Sequence, residues 1–142
     1  MADILDTFNI AASGLSAERL RLQTIASNMA NAKTTRTANG GGPYKRQVAV
    51  FATDPVNAFG DELERAIGRV EVLGVKSDNR PAMMVYDPSH PDANAAGYVA
   101  YPDINIMQEM VDMMSANRAY EANASVIDST TSMSLRALEI GK

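Results

Sequence analysis

The chain has no cysteine and no tryptophan, a single histidine, and only 6% aromatic residues among its 142. Without cysteine there is no disulfide framework, no thiolate metal site and no cysteine nucleophile. The hydrophobic fraction is 46%, but alanine and methionine supply much of it. A chain of this composition is not disordered, yet a large and well-specified core is not expected.

An excess of basic residues is also missing, since the formal net charge is −4 and the pI is about 4.9. Nucleic acids and anionic membrane surfaces attract basic proteins, so neither is expected as a partner. No apolar stretch approaches the ~20 residues of a membrane span, which argues against direct membrane insertion. The acidic start lacks the features of a cleaved secretory signal, which favours the cytoplasm or export without such a signal.

Residues that could form a catalytic or ligand site are few. His90 is the only histidine and lies in a proline-rich loop, so we interpret it as a loop residue. Asp61, Glu62 and Glu64 do not converge at their spacing and are expected to be solvated. The glycine run at 40–42 is followed by neither GK[ST] nor a helix, which favours a flexible joint over a phosphate loop. We predict no catalytic residues, no metal and no cofactor.

What the sequence does contain is a heptad pattern at each end. Near the N-terminus, nine positions alternate at spacings of four and three: Ile4, Phe8, Ala11, Leu15, Glu18, Leu22, Ile25, Met29 and Ala32. Near the C-terminus, ten positions follow the same rule: Ile106, Met110, Met113, Asn117, Tyr120, Ala124, Ile127, Thr131, Ser134 and Leu138. This spacing predicts two helices, each with a seam for another helix.

The predicted fold class is therefore mainly α with a small β part. Long N- and C-terminal helices pair as a coiled coil, and a short β-hairpin or extended region lies between them. We divide the chain into an N-terminal core helix at 1–36, an extended or hairpin region at 37–103, and a C-terminal core helix at 104–142. Helices at both termini favour assembly over catalysis.

The middle region contains short segments typical of strands. Alternation predicts a strand at 44–51. Two short segments on either side of the turn-rich stretch 77–81 predict strands at 70–75 and 83–86, and 98–101 is predicted to be a short extended segment. We expect the second and third of these strands to pair as a hairpin, and 61–67 to form a helical turn. Because an isolated hairpin is marginal in water, it should lean on a helix or on a partner.

The N-terminal helix is predicted over 4–33 and contains Gly14, which costs about 1 kcal/mol relative to alanine. Gly14 is either a local weak point or a place where a neighbouring backbone approaches closely. Glu18 is the one charged residue of the N-terminal seam and a candidate for a register-setting position or, if the helices pack into a closed tube, for a position that faces its lumen.

The C-terminal helix is predicted to begin at a capping box formed by Asn105 and Gln108 and to continue to Ile140. Asn117 either fixes the register of the seam or faces solvent. A stripe of methionines favours an adaptable interface over simple core packing, since unbranched methionine tolerates several partner shapes. Its members are Met107, Met110, Met113 and Met114.

Several motifs resemble a known family. The segment at 13–34, SGLSAERLRLQTIASNMANAKT, is similar to the N-terminal motif of bacterial flagellar rod and hook axial proteins. The segment at 42–51 is GPYKRQVAVF, and the one at 87–106 is DPSHPDANAAGYVAYPDINI. Together with EMVDMMSANRAYEAN at 109–123, they resemble the proximal-rod members of that family. The resemblance covers most of the chain and is weakest over 52–82.

The resemblance implies a structural subunit of the basal-body proximal rod, a helically assembled drive shaft that transmits torque and encloses the export channel. It implies partners: copies of the chain, other rod proteins, the rod–base junction protein FliE, and the type III export apparatus in transit. A periplasmic location, reached without a cleaved signal, follows as well. The alternatives are another rod or hook-basal-body protein, or a soluble coiled-coil adaptor.

We expect the seams of the two helices to carry assembly, either within a subunit or between neighbours. The residues chosen for this interface are Phe8, Leu15, Leu22, Ile25, Met29, Met110, Met113, Asn117, Tyr120, Ala124, Ile127 and Leu138.

Overall fold

The computed structural model describes residues 4–38, 41–55 and 68–140. Helix α1 spans Ile4–Ala30 and helix α2 spans Ile106–Ile140. Between them lie four strands: β1 at Gln47–Pro55, β2 at Gly68–Ser77, β3 at Met83–Tyr86 and β4 at Tyr98–Tyr101. Long terminal helices that pack together, with small two-stranded sheets between them, confirm the predicted fold class. The helical turn expected at 61–67 and the acidic cluster within it lie outside the described residues.

The strands form two separate pairs, β1 with β2 and β3 with β4. The expected hairpin between 70–75 and 83–86 is therefore wrong. Strand β2 stays with β1 to its end, where the Asp78 N–H donates to the Arg46 carbonyl at 2.7 Å. The chain then leaves this sheet before β3 begins.

Strand β3 instead pairs antiparallel with β4, the segment predicted to be short and extended. Val85 lies opposite Val99, and Tyr86 lies opposite Tyr98. The two tyrosine rings meet edge to face with their centroids 5.2 Å apart. Cross-strand contacts between aromatic and β-branched side chains stabilise this register.

Helix α1 ends at Ala30, three residues before the predicted end at position 33. Both the backbone N–H and the side-chain amide of Asn31 donate to the Ser27 carbonyl, at 3.1 and 2.9 Å. The Thr34 N–H then donates to the Asn31 carbonyl at 3.0 Å, which closes a turn after the helix. A side chain that competes for helix carbonyls in this way favours helix termination.

Helix α2 begins where the sequence predicts. Oδ1 of Asn105 accepts hydrogen bonds from the Met107 N–H at 3.0 Å and the Gln108 N–H at 3.3 Å, as an N-cap does. The expected capping box also calls for the Gln108 side chain to bond back to the N-cap. The Gln108 side-chain amide instead donates to Asp112 at 3.2 Å.

The chain divides into two compact units. The first unit contains Met1–Leu22, Ala49–Gly74 and Met114–Lys142, and the second contains Gln23–Val48 and Val75–Met113. The sequence-based division into 1–36, 37–103 and 104–142 stays a prediction. Among the residues that the structure describes, no helix is both long and apolar enough to cross a membrane.

Candidate assembly surface

The first unit packs its two helices through small residues. On α1, Ala11, Gly14 and Ala17 are buried, and on α2, Ala116 and Thr130 are buried. Small side chains allow a close approach between helices, so this contact depends on fit more than on buried hydrophobic volume.

Gly14 lies directly against Asn123 of α2. A Cβ atom placed on Gly14 would lie 2.8 Å from Nδ2 and 3.1 Å from Cγ of Asn123. Of the two interpretations left open by the sequence, close approach is therefore the observed one. The approaching group is a side chain, however, and not the backbone that the sequence suggested.

The predicted assembly residues differ in how deeply they are buried in the subunit. Ile25 is buried. Seven are half-buried: Phe8, Leu15, Leu22, Met29, Met113, Ala124 and Ile127. Four are exposed: Met110, Asn117, Tyr120 and Leu138. The exposed residues remain accessible to solvent in the single subunit, and their role between subunits stays a prediction.

In the second unit, a polar cluster that the sequence analysis missed connects α1 to β1. Asn28 is 1% exposed and pairs with Gln47 through two hydrogen bonds. Nδ2 of Asn28 donates to the Gln47 carbonyl at 2.8 Å, and Oδ1 accepts from the Gln47 N–H at 2.8 Å. The Tyr44 hydroxyl donates to the same oxygen at 3.2 Å. The amide of Asn28 thus pairs with β1 as a neighbouring strand would.

The same cluster continues to α2. Nδ2 of Asn28 also donates to Oε2 of Glu109 at 3.1 Å, and Nε of Arg46 donates to Oε1 of Glu109 at 2.7 Å. Glu109 is 1% exposed, so its charge depends on these two partners for compensation. We call the set Asn28, Tyr44, Arg46, Gln47 and Glu109 the polar junction. It holds α1, β1 and α2 in one fixed arrangement.

Glu18 lies at the edge of a groove of about 480 Å³ in the first unit, which Gly14, Phe51 and Asn123 also line. Its Oε2 is buried and accepts no hydrogen bond from the described residues. The Arg21 guanidinium lies close to it, with Nη1 3.8 Å from this oxygen. The expectation that Glu18 faces a lumen or sets a register stays a prediction.

One face of α2 is apolar and exposed. Met107 is 70% exposed, Met110 44%, Val111 52% and Met114 53%. Their spacing of three, four and seven residues places them side by side on a helix. Met113, the other methionine of the predicted stripe, is half-buried instead. We call Met107, Met110, Val111 and Met114 the outer face of α2.

His90 shapes the loop in which it lies. Its Nδ1 accepts a hydrogen bond from the Asp92 N–H at 3.1 Å, and Asp92 in turn accepts hydrogen bonds from Thr35 and Arg36. Ser89 donates to Asp87 from its hydroxyl at 2.6 Å and from its N–H at 3.1 Å, which lowers the pKa of that carboxyl below its ordinary value. In the described part of the chain, no three histidine, aspartate or glutamate side chains are grouped to hold a metal ion.

Comparison with known proteins decides the family. Residues 8–36 match the family "Flagella basal body rod protein", and residues 95–140 match "Flagellar basal body rod FlgEFG protein C-terminal". The flagellar basal-body rod protein FlgC of Borreliella burgdorferi is 43% identical over 148 residues, covering 96% of this chain and 97% of that one. FlgC of Bacillus subtilis is 38% identical at the same coverage, and FlgC of Salmonella typhimurium is 39% identical over 98% of both chains.

The chain belongs to the FlgC family of flagellar basal-body rod proteins. It is a structural subunit of the rod, located in the basal body, and its family is not enzymatic. Membership of the FlgC family also implies assembly with other rod proteins. The resemblance read from the sequence motifs is thereby confirmed.

The two matched segments contain residues of the polar junction that sequence reasoning overlooked. Asn28 lies in the segment at 8–36, and Glu109 in the segment at 95–140. Both residues lie within the motifs that carry the family resemblance. Those motifs were the signal in the sequence by which the two residues could have been found. Nothing in the periodicity marked them, because polar residues beside an apolar seam usually face solvent.

Proposed function

We propose that the chain assembles helically with copies of itself and with other rod proteins into the proximal part of the flagellar rod. In this assembly the terminal helices form the inner layer, transmit torque and enclose the export channel. The outer face of α2 is the observation that carries the proposal. Soluble monomers rarely expose a contiguous apolar face, and such a face usually marks a site of protein association.

The balance of buried and exposed side chains supports the same function. Among the described residues, twenty large hydrophobic side chains are exposed, whereas Ile25 and Val99 are the large hydrophobic side chains that are buried. A subunit with so little internal apolar packing gains stability when neighbours cover its exposed side chains.

The polar junction suits a part that transmits torque. Helices joined only by apolar contacts can slide with little change in energy, since apolar attraction is not directional. Hydrogen bonds from Asn28 to Gln47 and Glu109 would be lost by such a slide, leaving buried polar groups unpaired. The junction therefore resists displacement of α1 against α2 within the second unit.

The proposal includes passage through the flagellar type III apparatus without a cleaved signal, and contact with FliE at the rod–base junction. Family membership supports both. The rival from another class is a soluble coiled-coil adaptor, which would not co-purify with basal bodies.

A single charge on the outer face tests the proposal. Met110→Asp, in a strain that lacks its own FlgC, should prevent completion of rods and abolish motility, while the purified subunit keeps its helix content by circular dichroism. Ser115→Asp is the matched control, because Ser115 is exposed on the same helix at the edge of this face. The proposal fails if both variants restore motility equally, or if the unaltered chain is absent from purified basal bodies.

A further inference from the structure

Strand β3 is an exposed strand composed of apolar residues and one tyrosine. Met83 is 54% exposed, Met84 53%, Val85 40% and Tyr86 64%. It pairs with β4 along one edge, and no other strand in the described ranges pairs with its second edge. The second edge of β3 is thus open.

The hydrogen-bond register shows which backbone groups lie along this open edge. The Asp87 N–H donates to the Gly97 carbonyl at 2.9 Å, immediately beyond the last pair, Tyr86 with Tyr98. In an antiparallel pair, hydrogen-bonded and non-hydrogen-bonded positions alternate. Val85 therefore bonds to β4, whereas the N–H and C=O groups of Met84 and Tyr86 point away from β4.

The side chains along this edge are suited to cover by another chain. Met84 and Tyr86 lie two residues apart and so on one face of the strand. The four residues of β3 include no charge, proline or bulge, the devices with which proteins usually protect an edge strand. Pro81 and Pro88 stand on either side, which limits pairing to this short segment.

We propose that the open edge of β3 accepts an extended segment of an adjacent rod subunit as a third strand. The added segment bonds to the N–H and C=O groups of Met84 and Tyr86, and its alternate side chains pack on these two residues. The inference rests on the proposed function, since it assigns a role to one surface of the assembled subunit.

Two arguments identify this occupant. A free row of backbone donors and acceptors is satisfied by an extended backbone, whereas a helix has its own backbone groups already paired. Pairing of β3 with β3 of a second copy would give a closed two-fold dimer, while a helical assembly needs a contact between two different surfaces. The occupant is therefore a different segment of the neighbouring subunit, extended and uncharged, with apolar side chains at alternate positions.

A proline at position 84 tests the backbone pairing. Met84→Pro removes one N–H from the open edge and leaves the bonds from Val85 to β4 intact, because proline is tolerated at strand edges. Met84→Ala is the matched control, since it shortens the same side chain but keeps the N–H. In the strain that lacks its own FlgC, Met84→Pro should lower the number of completed rods about tenfold relative to Met84→Ala.

Each outcome of this comparison supports or overturns the inference. Equal numbers of rods from both variants would overturn it, whether those numbers are normal or reduced, because the backbone N–H would then contribute nothing. A normal number for Met84→Pro leaves the proposed function untouched, whereas failure of the unaltered chain to restore rods would refute that function separately.

A second measurement covers the case in which Met84→Pro does not fold. The chain has no cysteine, so Met84→Cys carries a unique thiol. A benzophenone maleimide attached to this thiol inserts into nearby C–H bonds on irradiation, so in assembled rods it should join position 84 to an extended segment of a neighbouring subunit. Crosslinks confined to helical segments, or the absence of any crosslink between subunits, would overturn the inference.

Discussion

The side-chain amide of Asn28 pairs with the backbone of Gln47 through two hydrogen bonds of 2.8 Å each. A residue on a helix thereby occupies the place of a neighbouring strand at the start of β1. Because the same amide donates to the buried carboxylate of Glu109, one side chain joins three elements of the second unit. The stability of that unit should therefore depend strongly on the polar junction.

Replacement of the junction's central residue should be costly. Asn28→Ala removes partners from the Gln47 backbone and from Glu109, leaving buried polar groups unpaired. We expect a loss of about 2–4 kcal/mol in the free energy of unfolding. Urea unfolding of the purified subunit measures it, with Asn9→Ala, an exposed asparagine of α1, as control. Equal midpoints for the two variants would show that the junction contributes little.

Breaking the ion pair of the junction should cost more than breaking an exposed one. Arg46→Met leaves the Glu109 carboxylate without its cation, which is expected to cost about 3–5 kcal/mol because that carboxylate is buried. Arg80→Met removes the more exposed pairs with Asp78 and Asp103 and should cost far less, because solvent screens these charges. Denaturant titration of the purified subunits measures the loss of stability in each variant.

A double variant tests whether the unpaired charge of Glu109 causes the loss of stability in Arg46→Met. Adding Glu109→Gln to Arg46→Met removes the unpaired charge while keeping a side chain of similar size, so part of the lost stability should return. A double variant no more stable than Arg46→Met alone would argue against a buried unpaired charge as the cause.

Addition of one methyl group at Gly14 should destabilise the contact between the helices in the first unit. Gly14→Ala gains about 1 kcal/mol of helix propensity but places Cβ against Asn123. We expect a net loss of about 1–2 kcal/mol, because overpacking forces Asn123 from its position. Thermal unfolding measures the effect. Combination with Asn123→Ala should remove the loss, and an unchanged loss would place its cause elsewhere.

Acid should weaken the loop that precedes β4. Hydrogen bonds from Ser89 lower the pKa of Asp87 below its ordinary value in the folded chain. A carboxyl with a lowered pKa contributes stability that is present above its unfolded pKa and is lost as the pH falls through its folded pKa. Asp87→Asn should therefore lower the urea midpoint at pH 7 and have little effect near pH 2. An equal effect at both values would contradict the assignment.

Much of the fold was predictable because helix signals are local. The heptad spacings placed α1 and α2, and Asn105 marked the start of α2. The limits of β3 were also correct, since a short apolar run with a proline on either side defines so short a strand. The partners of the strands were not predictable in this way. The residues at 70–75 and 83–86 are compatible with several strand pairings, and the choice depends on contacts distant in sequence.

The same reason explains why the polar junction was missed. Asn28 and Glu109 are 81 residues apart, and no local pattern connects them. The burial pattern of α2 was not predictable from the sequence either, since Glu109 and Ala116 are buried while Met110 and Asn117 are exposed. Small and polar residues usually indicate a solvent face. Here they allow close approach of α1 or have partners within the protein.

The most direct test of the account is an image of intact basal bodies at side-chain resolution, from a strain in which this chain is the only FlgC. The account predicts a helical array of copies in the proximal rod, with Met107, Met110 and Met114 covered by neighbouring subunits. Absence of the chain from the rod, or an array in which these three side chains face solvent, would contradict it.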